Sequence, residues 1–115
     1  MAVEIAQILG DRQMQRRLAP HRASVGQLRR SSTSVPANIA EGCSQASLEQ
    51  FARFLAIAIG SVTETQNHLL FLRDTNALPP IAADPLLEQV EELRPGLIKL
   101  HAAVTARARE RRKTP

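Results

Sequence analysis

The chain has no tryptophan and no tyrosine, and its three phenylalanines bring aromatics to only 3 % of 115 residues. Stacking on exposed bases is therefore not its main binding device, because that mode lays aromatic faces along the strand. Alanine and aliphatic residues must fill the core instead, which suits close packing of helices. Cysteine occurs once, at Cys43, so there is neither an internal disulfide nor a cysteine metal cluster, as expected of a reducing compartment, with the cytoplasm as default. No apolar run approaches the roughly 18 residues of a spanning helix. The opening MAVEIAQILGDR carries Glu4 and no basic leader, so the expectation is a protein neither exported by a standard signal nor embedded in a membrane. A Gly-rich phosphate loop, an internal repeat and an alternating strand pattern are all missing. A chain of this length is one domain, residues 1–115, large enough for a single core but not for two.

Helical periodicity is what remains, in four segments. The first, about residues 2–17, carries Ile5, Ile8 and Leu9, with Met14 and Leu18 further on, and is weakened by Gly10. The second, about residues 21–43, places Val25, Leu28, Ser32, Val35 and Ile39 at alternating spacings of three and four, which stacks them on one face. Pro36 falls inside that stripe, where it removes a backbone donor and clashes with the preceding turn. The unbroken register favours a kinked continuous helix, with hydroxyls of Ser31, Ser32 or Thr33 able to satisfy a freed carbonyl. The alternative is a break at Ser34, with Pro36 opening a new helix.

Ser47 and Gln50 make a capping-box start for the third segment. Leu48, Phe51, Leu55, Ala58, Val62, Thr65, Leu69 and Leu72 follow in heptad spacing, and Asn76 with Pro79 and Pro80 ends the run. Asp84 as cap and Pro85 at the first helical position open the fourth, whose stripe is Leu86, Val90, Leu93, Leu97, Leu100 and Val104. Pro95 and Gly96 interrupt it without shifting the stripe, which favours a kink over an end. Short connections between such helices give an all-α, antiparallel up-down four-helix bundle.

The third segment has a surplus. From Phe54 to Ile59 it is apolar around its whole circumference, whereas a helix of a four-helix monomer should keep one polar face. Either this helix sits deepest in its own bundle, or Phe54, Ile57 and Ile59 meet another subunit.

Around the proline the sequence reads RRSSTSVPANIAEG, residues 29–42. Arg30, Ser34, Pro36, Asn38, Ile39, Ala40, Glu41 and Gly42, followed by Ser47, Phe51, Phe54, Leu55, Ala58, Gly60, Ser61 and Glu64, resemble the four-helix-bundle family known from the intervening sequences of 23S ribosomal RNA genes. That family includes the accessory protein of diversity-generating retroelements. The likeness covers roughly residues 27–78, with departures: Ser31 and Ser32 stand where alanines are usual, Thr65 where a leucine is usual, and the first helix is short. The resemblance implies an up-down bundle that assembles into a ring of five subunits, in the cytosol, with no established enzymatic activity. Nucleic-acid binding and partnership with a reverse transcriptase belong to some members only.

Charge is segregated along the chain. Residues 1–40 carry net +4, residues 41–93 net −6 and residues 94–115 net +6. Arg107, Arg109, Arg111, Arg112 and Lys113 make a basic tail, about residues 105–115, expected to fray at its end. Such a tail attracts phosphate backbones by counterion release without reading sequence. It also suits a solvated end that complements the negative terminus of its own helix. Arg12, Arg16, Arg17, Arg22, Arg29 and Arg30 form a second basic group that extends the footprint if the helix ends meet, or pairs with the acidic middle.

Catalytic and metal chemistry find little support. A di-iron bundle needs Glu-x-x-His on two helices, and here Glu64 and His68 are four apart with no second pair. His21, His68 and His101 lie in separate segments. Cys43 would need a positioned base to act as nucleophile, and a small buried hydrophobe is the favoured reading. Asn38 and Glu41, one turn apart, read as hydrogen-bonding residues that fix register near Pro36 or pair with Arg30 or Arg53. The expectation is a homo-oligomeric interaction module, not an enzyme, with no cofactor, no metal and no membrane. The expected partners are itself and either RNA or DNA, alongside a polymerase-type protein such as a reverse transcriptase; the alternative is a protein-binding scaffold whose basic ends serve solubility.

Overall fold

The computed structural model describes residues 1–45 and 47–113. All regular structure among them is helical: α1 (Ala2–Gly10), α2 (Arg12–Leu18), a 3-10 turn (Ala19–His21), α3 (Arg22–Cys43), α4 (Leu48–Asp74) and α5 (Pro80–Lys113). Central α4 packs against α3 on one side and α5 on the other, antiparallel to both, and α1 bridges α3 and α5. Four helices thus enclose one core in a bundle of 60 × 20 × 18 Å. The expected stripe of α4 is in place, since Leu55, Ala58, Val62, Thr65, Leu69 and Leu72 are all buried. Leu28 and Val35 of α3, and Ile5 and Leu9 of α1, close over it.

The ends of the helices depart from the sequence reading in instructive ways. The first segment is two helices, because Asp11 is extended (φ −70°, ψ 133°) and its carboxylate accepts from the Met14 N–H. A capping aspartate beside a glycine outweighs the continuity of the apolar pattern. Helix α3 does run unbroken through Pro36. The hydroxyls of Ser31, Ser32 and Thr33, however, donate to the carbonyls of Leu28, Arg29 and Arg30, not to the Ser32 carbonyl that Pro36 leaves free.

At its start, α4 has the Ser47 hydroxyl accepting from the Gln50 N–H at 3.1 Å. At its end Asn76 takes φ 60°, the left-handed conformation in which asparagine substitutes for glycine. The N–H of Asn76 then reaches the Arg73 carbonyl, and that of Ala77 the Leu72 carbonyl, completing a Schellman stop. Helix α5 begins at Pro80 and continues through both Pro85 and Pro95. Asp84 is therefore not its cap: the carboxylate is held by Arg73 at 3.1 Å, and Pro80 takes the opening role. Leu100 is 40 % exposed and Ala108 is buried, so the core stripe of α5 drifts off Leu100 and runs past Val104. The basic tail is helical as far as Lys113; its last residues, Thr114 and Pro115, on which the expected fraying falls, lie outside the described residues.

Candidate interaction surfaces

The residues of the RRSSTSVPANIAEG stretch prove to be one side of the α3–α4 seam. Arg30 Nη2 meets Glu64 Oε2 at 3.2 Å, and Ser34 Oγ meets Ser61 Oγ at 2.9 Å. Asn38 Nδ2 donates to both the carbonyl and the hydroxyl of Ser34, at 2.8 and 2.9 Å. Two turns on, Gly42 is buried where a Cβ would come within 2.9 Å of Phe51 Cδ1 and 3.1 Å of Phe54 Cβ. Each step up α3 is matched by a step down α4, so the motif sets the register of an antiparallel pair. The absent side chain of Gly42 lets the two backbones close.

Asn38 consequently partners Ser34 and neither Glu41 nor an arginine. Glu41 is exposed, with Gln45 Nε2 donating to its carboxylate at 3.2 Å. Departures from the family pattern meet across the seam. Thr65 and Ser31 are both buried, and Thr65 Oγ1 lies 3.0 Å from Ser31 Oγ. The two form a hydrogen-bonded pair, which keeps both hydroxyls satisfied in a site where an unpaired one would be costly.

Of the residues proposed for subunit contact, Ile57 is 43 % exposed, whereas Phe54 is half-buried and Ile59 packs half-buried against the chain's own core. Gly60, at the centre of the exposed face of α4, has nothing within 4 Å of where a Cβ would stand. Its place in the motif therefore has no steric reason inside one chain.

The basic tail and Arg17 sit at opposite ends of the molecule, with Arg30 between them at Glu64 of α4. In the tail, Arg112 pairs with Glu49 in the first turn of α4, at 3.5 Å. In the other group, Arg17 donates through Nε and Nη2 to the carbonyls of Ala77 and Asn76, just past the last turn of α4. The 27 residues of α4 separate these points by about 40 Å. Arg17 thus serves the loop that ends α4, and Arg30 serves the seam. Arg12, Arg16, Arg22 and Arg29 are exposed and, among the described residues, have no ionic partner; the same holds for Arg107, Arg109, Arg111 and Lys113 at the far end of α5.

An acidic surface lies between these ends. Asp84, Glu88, Glu91 and Glu92 project from the first half of α5 and, with Gln66, Leu70, Arg73 and Leu87, line an open groove against α4. Hydrogen bonds that it donates to Asp84 and then to Asp74 hold the Arg73 guanidinium more firmly protonated than usual. Gln66 links the two helices by donating to Glu91 and accepting from Arg94. Reasoning from the sequence alone did not single out this acidic face, although carboxylates spaced at 84, 88, 91 and 92 mark one side of a helix. Cys43 is exposed, correcting its expected burial. Among the described residues no cluster of histidine, cysteine and carboxylate side chains is arranged to hold a metal ion, and no helix is long and apolar enough to cross a membrane.

A family model described as 23S rRNA-intervening sequence protein matches residues 12–99. No curated protein and no solved structure matches the chain.

Proposed function

The chain belongs to the 23S rRNA-intervening sequence protein family, and from that premise we propose that it is a non-enzymatic, cytoplasmic homo-oligomer that holds RNA or DNA by its phosphate backbone. The observation that carries this reading is the far end of α5. Arg107, Arg109, Arg111 and Lys113 crowd into its last two turns, exposed and without an ionic partner among the described residues, while Ala108 and the Arg112–Glu49 pair hold that end of the helix against α4. A helix that holds four cations, unpaired among the described residues, neutralises phosphates at a smaller entropic cost than an unstructured tail would. Each added subunit brings another such end, and linked weak contacts raise avidity by roughly 10²-fold or more when they engage one strand together.

The polar residues of the α3–α4 seam hydrogen-bond to one another, in keeping with a structural role for that motif. The ring of five and a reverse transcriptase as protein partner come from the family resemblance, and exposed Ile57 supports self-assembly. A second reading, a protein-binding scaffold, draws support from the roughly 40 Å between the Arg17 and Arg112 contacts and from the structural employment of both residues. The test is fluorescence anisotropy with labelled single- and double-stranded RNA and DNA at low salt. The intact protein should bind all of them, and replacing Arg107, Arg109, Arg111 and Lys113 by glutamine should weaken binding at least 10-fold with helical content unchanged. No binding by the intact protein would hand the account to the scaffold reading.

A further inference from the structure

Resting on the self-assembly just proposed, we infer that copies of this chain associate head to tail, the acidic face of α5 in one copy docking on the arginine-rimmed α2–α3 groove of the next. The argument begins with where the charges point. Helices α3 and α5 each pack on α4 and on α1 but hardly on each other, so they stand diagonally across the bundle and their outer faces look in different directions. The outer face of α3, with α2, carries Arg12, Arg16, Arg22 and Arg29, all exposed and without an ionic partner among the described residues. The outer face of α5 carries Asp84, Glu88, Glu91 and Glu92, of which Glu88 and Glu92 are likewise unpaired. One subunit therefore presents complementary surfaces on different sides.

Shape agrees with charge. The basic side has a groove whose floor is apolar, Leu9, Leu18 and Val25, with Arg22 and Arg29 on its rim. The acidic side carries the most exposed large apolar side chain of the molecule among the described residues, Ile81 at 87 %, one turn before Asp84 and two before Glu88. An apolar knob at the head of a row of carboxylates matches an apolar floor rimmed by guanidiniums. Because the two surfaces differ, the contact is heterologous, and repeating it generates a ring when the rotation closes and a filament when it does not. Opposite charges supply register and speed of association more than raw affinity, with Ile81 and the groove floor supplying buried apolar area. The arginines of α2 and α3 are then occupied by a neighbouring subunit, leaving the end of α5 for phosphates.

The experiment is sedimentation velocity on the full chain at low salt, with circular dichroism to confirm folding. Arg22→Glu with Arg29→Glu should raise the dissociation constant of the oligomer at least 10-fold, and so should Glu88→Arg with Glu92→Arg. All four reversals in one chain should restore it, because the attraction is re-created with its signs exchanged. These side chains are exposed, so the variants are expected to keep wild-type helicity, and Ile81→Ser gives a charge-independent check that should also weaken assembly several-fold. Wild-type oligomer mass in both double variants would overturn this contact while leaving self-assembly through another face intact. Loss of nucleic-acid binding in Arg22→Glu with Arg29→Glu, at unchanged oligomer mass, would assign the groove to nucleic acid and overturn it too. A monomeric intact chain at micromolar concentration would overturn the contact and the self-assembly together.

Discussion

Two glycines of the same motif should respond to the same substitution with opposite sign. At Gly42 a Cβ would stand 2.9 Å from Phe51 Cδ1 and 3.1 Å from Phe54 Cβ. The Phe51 ring is packed against the core, and Phe54 Cβ is one bond from the α4 backbone, so neither yields without separating α3 from α4. Such overpacking costs about 1–3 kcal/mol. Alanine returns up to about 1 kcal/mol of helix propensity, and less here because α3 ends at Cys43. Gly42→Ala should therefore destabilise by about 1–2 kcal/mol net. At Gly60, mid-helix and exposed, nothing lies within 4 Å of the added atom. Gly60→Ala should stabilise the fold by about 0.5–1 kcal/mol through reduced backbone entropy of the unfolded chain. Urea denaturation followed by helical circular dichroism, at one fixed protein concentration because assembly adds to apparent stability, reads both. A Gly42→Ala protein as stable as wild type would refute the claim that this glycine exists for helix approach.

Leu55 has no exposed surface, and Leu55→Ala should lower stability by roughly 2–5 kcal/mol in the same assay; an unchanged midpoint would show that the α4 stripe is not the core. Ser31→Ala and Thr65→Val should each destabilise, and the double variant by less than their sum, with a coupling of about 0.5–2 kcal/mol; simple additivity would deny that the two hydroxyls are partners. Truncation after Ala108, which keeps that buried residue, should spare helical content while weakening nucleic-acid binding, and a loss of helicity would mean that the end of α5 is structural.

How much of this was legible in the sequence varies by element, for physical reasons. The α4 stripe was readable because a long helix buried along one face must repeat its apolar residues at heptad spacing, and Leu55, Val62 and Leu69 do so. The boundaries of α1 and α5 were not, because each offers rival caps. Asp84 with Pro85 is a sound local start signal, but Arg73, placed opposite by the packing of α4, takes the carboxylate and the helix begins at Pro80. The cations of the candidate surfaces could be enumerated in advance, but not their grouping. Which of them share an end depends on Arg17 reaching Ala77 and Arg112 reaching Glu49, contacts between residues about 60 positions apart. Ser31 and Thr65, 34 positions apart, are hydrogen-bonding partners only because the antiparallel packing of α3 on α4 brings them together.

The central claim, that the end of α5 holds nucleic acid by its phosphates, is tested most directly by the salt dependence of binding to a single-stranded RNA of mixed sequence. The four cations without an ionic partner among the described residues, each contributing a slope of about −0.7 for a single strand, predict a log–log slope of about −3 for each engaged subunit end. The same slope should appear with an unrelated sequence, and it should fall toward zero when Arg107, Arg109, Arg111 and Lys113 are glutamine. Binding that ignores salt, or no binding at all at low salt, would contradict the account.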